Sequence, residues 1–373
     1  MVLLLSGGLF HLLGYQVLPP DAPPARNAEV ARSVWKTRSL QPPEFVVFKE
    51  NLSRLSRERR VGHYQDVFSL GKGGELYPKH SVISAVIGAP WYGLFGDSGF
   101  WILQQALALL LFYSTYRITS LMAGRDTGAA TLLSVCLLTE TVIGFFCYVF
   151  SYDLHGVVLL ICGLHLMYSR PLWGSMLATS STFVRPSYVL ILPFLLCGWS
   201  GMPGRTARFR DIVLGAGCMI CLYLLVNEFM WGGPFVTAYH RIAAFGPDGD
   251  VYIEQLPKGL NMGVFLSDWC QKLFSARVGL LTFNPALIAF PWVCARVWRS
   301  EHRWFALTTL TASVLHGLYM FSYEQWHTSF IGNRLLLPSV YLYILNFIPW
   351  CSDLLGSVRG RMPRQQAGRA TPC

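Results

Sequence analysis

The sequence predicts an all-α integral membrane protein, a polytopic helical bundle that crosses the bilayer about ten times. Two features of composition support this prediction. Hydrophobic residues make up 53% of the 373 residues and charged residues only 13%, whereas soluble globular chains carry roughly 25% charged residues. Phe, Trp and Tyr together reach 14%, a content typical of chains with aromatic belts at two membrane interfaces.

The third feature is a series of apolar runs, several of them shorter than the ~20 residues that cross a bilayer squarely. They cover residues 2–18, 99–121, 128–149, 154–168, 172–184, 187–199, 212–230, 278–295, 304–321 and 335–350. The pair 172–184 and 187–199 is also compatible with one long helix broken at Arg185-Pro186. The first run lacks the basic segment and the small-residue cleavage site of a signal peptide, so we expect a retained helix.

The arginine positions predict the orientation of the bundle. With the N-terminus inside, every short arginine-rich loop falls on the cytoplasmic side, as the positive-inside rule requires. These arginines are Arg117, Arg125, Arg170, Arg205, Arg208, Arg210, Arg296, Arg299, Arg303, Arg359, Arg361, Arg364 and Arg369. A single span over 172–199 would reverse every later helix, so we prefer two. The net charge of +10 then belongs to cytoplasmic loops rather than to a nucleic-acid surface.

This orientation divides the chain into a transmembrane domain, residues 1–350, and a basic cytoplasmic tail, residues 351–373, whose composition predicts disorder. The external loops are 19–97, 231–276 and 322–334, and they must converge if the helices form one bundle. In the first loop, residues 27–39 predict an amphipathic helix lying on the membrane, with Ala28, Ala31 and Trp35 on one face. Residues 82–95 predict an interfacial or re-entrant helix, too short for a span.

Three charged residues stand where the external loops meet the apolar runs. Asp21 follows the first run between two pairs of prolines that stiffen the chain, although it could also be an ordinary solvated carboxylate. Asp153 opens the run 154–168, where an acid either caps the helix and suits its dipole or shares a site with His155. Arg185 needs an anionic partner or a wet cavity, unless its side chain snorkels to the interface.

Further cations lie in the first and third external loops. Lys79 and His80 follow Tyr77 and precede the predicted interfacial helix, and Arg334 enters the last apolar run. Cations in such positions either bind a phosphate group or belong to solvated turns. Most of the ten cysteines lie in apolar runs, where buried thiols act as small hydrophobic groups, and no disulfide framework is implied.

Several segments follow one another in a familiar order. They are Asp21-Ala22 at the start of the first external loop, Glu75–His80 followed by Ala89–Gly96, Tyr152–Leu154, Phe183–Pro186, Trp231–Phe235 with Ala238–His240, Arg277–Leu281 with Asn284-Pro285, and Gly332–Arg334 with Leu337-Pro338. In this order and spacing the chain resembles bacterial lipid-carrier-dependent glycosyltransferases of the GT-C fold. That family includes protein mannosyltransferases and the aminoarabinose transferase of lipid A. No motif is specific alone, but the shared order covers nearly the whole chain.

The resemblance implies transfer of a sugar from a polyprenyl-phosphate donor to a glycan, lipid or protein acceptor, at the external or periplasmic face of a bacterial inner membrane. It implies an inverting displacement with Asp21 as the base and Asp153 positioning the acceptor or sharing the base role. The residues expected to bind the donor phosphate are Arg185, Lys79, His80 and Arg334. Cations can stabilise the leaving phosphate without a metal, so a divalent ion is possible but not required. The lipid tail is expected near residues 82–95.

The chain also departs from the family pattern. Ala22 stands where the family often has a second acid, and Ser81 stands in place of a motif proline. Two alternatives therefore remain open at the level of sequence. The chain could be a transporter or flippase for lipid phosphates, which would use the same cations but no base. It could also be a catalytically inactive family member that acts as a partner subunit.

Overall fold

The computed structural model describes residues 23–40, 68–79, 82–123, 127–139, 141–146, 150–200, 206–245, 251–253, 261–276, 279–299, 302–322 and 334–361. This part of the chain is mostly helical. Its α-helices are α1 (Pro23–Thr37), α2 (Val82–Phe95), α3 (Ser98–Ala123), α4 (Thr127–Thr139), α5 (Val142–Phe146), α6 (Tyr152–Met167), α7 (Pro171–Ser180), α8 (Leu192–Ser200), α9 (Thr206–Trp231), α10 (Met262–Leu266), α11 (Trp269–Phe274), α12 (Leu280–Phe283), α13 (Phe290–Trp298), α14 (Arg303–Phe321) and α15 (Leu337–Arg361).

Short 3-10 turns and two small β-hairpins complete the described structure. The 3-10 turns are Ser181–Phe183, Pro186–Leu190, Ala238–His240, Pro285–Ala289 and Arg334–Leu336. The strands are β1 (Phe68–Leu70), β2 (Leu76–Pro78), β3 (Ala243–Phe245) and β4 (Val251–Ile253), and they pair antiparallel as β1 with β2 and β3 with β4. Within the described residues, two helices are long and apolar enough to cross a membrane, Phe209–Trp231 and Arg303–Phe321.

Helices α6 and α7 pack backbone to backbone through glycines. A Cβ on Gly163 would lie 2.3 Å from the backbone nitrogen of Ala178, and one on Gly174 would lie 2.2 Å from that of Met167. Only a residue without a side chain allows helices to approach this closely. Gly163 thus lies opposite Ala178, and the later residue Met167 lies opposite the earlier residue Gly174. Helices α6 and α7 are therefore antiparallel.

Helix α9 runs parallel to α7. A Cβ on Gly215 would meet the Ser175 hydroxyl at 2.2 Å, and eight residues further along both chains the rings of Phe183 and Tyr223 lie 5.2 Å apart. Because α7 and α9 point the same way, the chain between them must return to its starting end. Helix α8 makes this return, so residues 172–199 are two segments of opposite direction rather than one broken helix.

The turn between α7 and α8 is at Arg185. This residue has an extended backbone, with φ −142° and ψ 123°, because the ring of Pro186 disfavours the helical conformation in the residue before it. The runs 172–184 and 187–199 are therefore separate segments that meet at Arg185-Pro186, which is the arrangement preferred from the sequence.

The other helix directions follow from pairs of side-chain and main-chain contacts. Helix α3 is parallel to α6, because Leu110 contacts Cys162 and Ser114 contacts His165. The α8 segment is antiparallel to α14 (Ser187 with His316, Gly198 with Thr308), and α14 is antiparallel to α15 (Thr309 with Asn346, Ser313 with Ser339). The α13 segment is parallel to α15 (Ala286 with Tyr343, Arg296 with Asp353). From α6 to α15, successive helices of nine or more residues thus alternate in direction along the chain. Asp153, Arg185 and Trp231 all lie at the same end of the bundle.

Three predicted segments differ in detail from the structure. The run 278–295 is divided into α12, a 3-10 turn and the start of α13, because Pro285 lacks the backbone N–H that a continuous helix uses. The run 128–149 is divided between α4 and α5. Helix α15 continues to Arg361, so the first half of the predicted disordered tail is helical.

The two helices predicted in the first external loop are both present. Helix α2 has the predicted bounds, and α1 covers most of the predicted amphipathic segment. Ala28 and Ala31 are buried, and the Trp35 ring lies against Gly93 of α2. The apolar face of α1 thus packs on α2. With β2, Phe100 and Ala243, these helices form a small hydrophobic core of their own, separate from the core of the bundle.

Candidate functional site

An open cleft of about 550 Å³ lies at the end of the bundle that carries Arg185. Three separate parts of the chain line it. Pro78-Lys79 and the first residues of α2 form one wall, residues 182–186 without Arg185 form the second, and the last turns of α9 with residues 237–239 form the third. Each part contains one of the segments singled out in the sequence, around Lys79, around Arg185 and after Trp231.

The two hairpin regions that frame the cleft are joined by Arg241. Its guanidinium donates to the carbonyl oxygens of Leu70 at 2.6 Å, Gly71 at 3.2 Å and Trp231 at 3.3 Å. The Ser69 hydroxyl also donates to the Ala238 carbonyl at 2.7 Å. Three of these hydrogen bonds tie residues 68–79 to the segment that follows α9, and the bond to Trp231 fixes Arg241 to the end of that helix. This connection holds Lys79 in place beside the cleft.

Lys79 is the cation in the cleft wall. It is only 6% exposed, and its Nζ lies 5.8 Å from the centre of the Tyr239 ring. A cation over an aromatic face is held more strongly where water is excluded. The apolar side chains of Val82, Ile83 and Met230 line the same cleft, which thus combines one buried ammonium group with a hydrocarbon surface.

Asp153 and Arg185 form a buried ion pair. The Arg185 Nε donates to Asp153 Oδ1 at 2.5 Å, and the two side chains are 9% and 1% exposed respectively. The Arg185 Nη2 donates to the Tyr152 hydroxyl at 3.4 Å, and its Cζ lies 5.1 Å from the centre of the Tyr152 ring. Burial opposes the charge on Arg185, but Asp153 and Tyr152 more than offset this effect and raise the pKa of the guanidinium.

Local sequence explains why Asp153 faces Arg185. The Ser151 hydroxyl accepts from the Asp153 backbone N–H at 3.2 Å and is the N-cap of α6. Asp153 is therefore in the first helical turn and not at the cap, the position considered from sequence. The antiparallel packing of α6 on the α7 segment then places the start of α6 opposite the end of that segment, where Arg185 lies. Arg185 does not snorkel to the surface.

His316 connects this turn to the bundle and was not identified from the sequence. It is fully buried, its Nδ1 lies 2.8 Å from the Ser339 hydroxyl, and its Nε2 lies 3.3 Å from the Ser187 hydroxyl. The contact with Ser187 braces the residues directly after Arg185 against α14 and α15. The sequence does contain one sign of its importance, because this histidine lies inside an apolar run, where polar groups are costly.

The structure brings together three of the predicted site residues and leaves three undecided. Lys79, Asp153 and Arg185 lie at one end of the bundle. Asp21 and His80 lie outside the described residues, as does the side chain of Arg334. His155 is buried next to Asp153 in sequence, but its ring packs edge-on against Phe150, 5.2 Å away, rather than on the carboxylate. Within the described ranges, no group of three or more His, Cys, Asp or Glu side chains is arranged to hold a metal ion.

Comparison of the chain with protein-family models, with curated proteins and with solved structures finds no match. The site thus has to be interpreted from its own geometry. Its features are a cationic, partly apolar cleft at one end of a helical bundle and a buried ion pair that supports one wall of that cleft.

Proposed function

We propose that this chain is a polytopic membrane glycosyltransferase that moves a sugar from a polyprenyl-phosphate donor to an acceptor at the outer face of the membrane. One observation carries the proposal. The three chain segments that line the cleft, around Lys79, around Arg185 and after Trp231, are far apart in sequence, and each resembles a motif of the same enzyme family. Their convergence on one cleft is what a shared active site requires.

The membrane part of the proposal is a bundle of about ten spans with both termini inside. It is supported by the alternating helix directions, which place the arginine-rich segments at the end opposite the cleft. An impermeant thiol reagent tests it on cysteines introduced at Ser53 and Gly204. Ser53 should be labelled from outside in intact cells or right-side-out vesicles, and Gly204 only after the membrane is opened. Labelling of Gly204 from outside would overturn this orientation.

The chemistry of the cleft suits a lipid phosphate. In the proposed step, the acceptor hydroxyl attacks the anomeric carbon, the bond from that carbon to the phosphate oxygen breaks, and the phosphate leaves with the bonding electrons. A base takes the hydroxyl proton, and Asp21 is our candidate for it. A cation stabilises the charge that develops on the leaving phosphate, and Lys79 is placed for this. The apolar lining around Ile83 and Met230 suits the start of a prenyl chain.

Asp153 acts in this proposal as a positioning residue, because its carboxylate is already engaged by Arg185. It holds the guanidinium beneath the cleft wall formed by Val184 and Pro186. A positioning role predicts that Asp153→Glu, which keeps the charge, retains more donor affinity than Asp153→Asn. A side chain needed only for folding would not give this order in variants of equal stability.

The decisive experiment measures donor binding and sugar transfer with the purified protein in detergent. Lys79→Met should weaken binding of the polyprenyl-phosphate sugar roughly 10- to 150-fold, because a hydrogen bond to a charged group contributes about 1.5–3 kcal/mol. Lys72→Met is the matched control. Lys72 lies on the same hairpin, but it is 63% exposed and pairs only loosely with Glu228 at 3.7 Å, so its loss should leave binding unchanged.

The same assay separates the proposal from its alternatives. Normal donor binding by Lys79→Met would remove the cleft as the donor site. A wild-type protein that binds the donor and moves it across a vesicle membrane, but never transfers the sugar, would instead be a transporter. A protein that neither transfers the sugar nor moves the lipid would be a catalytically inactive member.

A further inference from the structure

The two short helices α10 and α11, in the second external loop, have an unusual distribution of polarity. Lys272 is fully buried, whereas Met262 is 61%, Leu266 67% and Phe274 64% exposed. In a segment surrounded by water, the charged side chain would be outside and the apolar ones inside. In this pair of helices, by contrast, Lys272 is inside and three large apolar side chains are outside.

The Lys272 ammonium group donates hydrogen bonds within the helix pair. Its Nζ donates to the carbonyl oxygens of Val264, of Phe265 at 3.2 Å and of Ser267 at 2.8 Å. These carbonyls lie at the C-terminal end of α10, where no later backbone N–H of the same helix is available to them. The Val264 carbonyl also accepts from the Ser267 hydroxyl at 3.1 Å. Water normally satisfies such groups at a surface. An internal ammonium group in that role is expected where water is scarce, because unsatisfied backbone groups are costly in an apolar environment.

The helix pair is attached to the end of a candidate membrane span. The Trp269 ring lies 5.4 Å from the ring of Phe321, the last residue of α14, and the Asn261 N–H donates to the Ser322 carbonyl at 3.3 Å. Helix α14 itself has exposed apolar side chains close to this end, Leu315 and Leu318. The exposed apolar side chains of α10 and α11 therefore lie at the end of α14 that also carries exposed apolar side chains.

We propose that α10 and α11 lie in the outer interface of the bilayer, with Met262, Leu266 and Phe274 in contact with lipid. Asp268 and Gln271 are also exposed, which sets the depth of the pair at the boundary between headgroups and acyl chains, where amphipathic segments lie. The second external loop is thus anchored to the membrane on both sides of the cleft-lining residues 237–239, by α9 before them and by α10 and α11 after them. The inference rests on the proposed membrane insertion but not on sugar transfer.

Photocrosslinking tests lipid contact with the full chain and its native cysteines. A benzophenone amino acid is introduced at Leu266 or at Phe274, the protein is reconstituted in phosphatidylcholine vesicles, and adducts are identified by mass spectrometry. Leu225, which is 66% exposed on α9, is the positive control, and Glu75 in the exposed hairpin turn is the negative one. We expect lipid adducts at Leu266 and Phe274 comparable in yield to those at Leu225, and none at Glu75.

Each other outcome overturns a defined statement. Adducts at Leu225 but not at Leu266 or Phe274 would show that α10 and α11 are in water. Crosslinks from Leu266 to another polypeptide would make this surface a protein interface. No adduct at Leu225 would overturn the membrane proposal and this inference together, whereas a failed sugar-transfer assay would leave the lipid contacts standing.

A second variant tests the role of Lys272. Lys272→Met keeps the aliphatic stem but removes the ammonium donors to the α10 carbonyls, and leaves the hydrogen bond from the Ser267 hydroxyl to Val264 in place. We expect faster amide hydrogen exchange in α10 and α11 and unchanged exchange in α14, measured in the same vesicles. Unchanged exchange in α10 would mean that the lysine is not needed to hold the end of that helix, and it would remove the low-water argument.

Discussion

The Asp153–Arg185 pair offers the most direct test of how the cleft wall is held. Asp153→Asn keeps the shape of the side chain and removes its charge, so the Arg185 guanidinium stays buried with the Tyr152 hydroxyl as a weak acceptor, 3.4 Å away. At an effective dielectric constant of about 20, two unit charges about 4 Å apart attract by about 4 kcal/mol. Removing one partner of a buried pair is measured to cost a similar amount, about 3–5 kcal/mol.

The expected loss is large on an experimental scale. At about 1.4 kcal/mol for each factor of ten, the ratio of folded to unfolded protein should fall roughly 100- to 4,000-fold. Unfolding is measured by titrating sodium dodecyl sulfate into mixed micelles and following tryptophan fluorescence. No discount for solvent screening is needed, because the two side chains are 1% and 9% exposed.

Asp353→Asn is the matched control for this measurement. Asp353 also pairs with an arginine, Arg296, at 2.7 Å, but these side chains are 44% and 52% exposed. Solvated pairs contribute below about 1 kcal/mol, so this variant should unfold close to the wild type. The double replacement Asp153→Leu with Arg185→Met should cost less than Asp153→Asn alone, because no charge is left buried without a partner. Asp153→Asn within about 0.5 kcal/mol of the wild type would refute the reasoning, because that is the range of ordinary surface substitutions.

Three further predictions concern the proposed base, the helix packing and the docking of the hairpin. Asp21→Asn should lower sugar transfer about 10²- to 10⁴-fold, the usual contribution of a general base, with donor binding retained; full activity would exclude Asp21 as the base. Gly163→Ala should destabilise the bundle in the detergent titration, because the added Cβ would meet the backbone of α7. Gly217→Ala has open space around it and should raise the free energy of unfolding by up to about 1 kcal/mol through helix propensity. Equal effects of the two substitutions would contradict the close packing of α6 on α7. Arg241→Met should increase hydrogen exchange and proteolysis of residues 68–79 and leave the long helices protected. An unchanged hairpin would show that the Arg241 bonds to Leu70 and Gly71 are not what docks it.

Much of the architecture could be predicted because it depends on local properties of the chain. Runs of apolar residues identify the helices at any depth in the fold, and the two helices in the first external loop were predicted from their composition and spacing. The break at Arg185 follows from Pro186, whose ring acts on its immediate neighbour. Pro285 interrupts the run 278–295 in the same way, whereas the hydropathy of that run alone predicts a continuous helix.

The candidate site could be predicted only in part. The sequence identified Lys79, Asp153 and Arg185 as separate candidates, and the structure shows that Asp153 and Arg185 are each other's partners. Their pairing depends on the register of two antiparallel helices, and that register is set by Gly163 and Gly174 meeting backbone on the opposite helix. Contacts between residues far apart in sequence leave no local pattern.

By itself, the sequence determined that the chain is apolar and helical, where its helices lie, and which polar residues stand at their ends, because hydropathy, proline and glycine act through neighbouring residues. Only the tertiary structure decided the relative directions of the helices, the convergence of three distant segments on one cleft, and the partner of each buried charge. Those features arise from close packing, in which the shape of each helix surface selects its neighbour. The burial of Lys272 in α10 and α11 belongs to the same class, because nothing in their sequence shows that this side chain points inward.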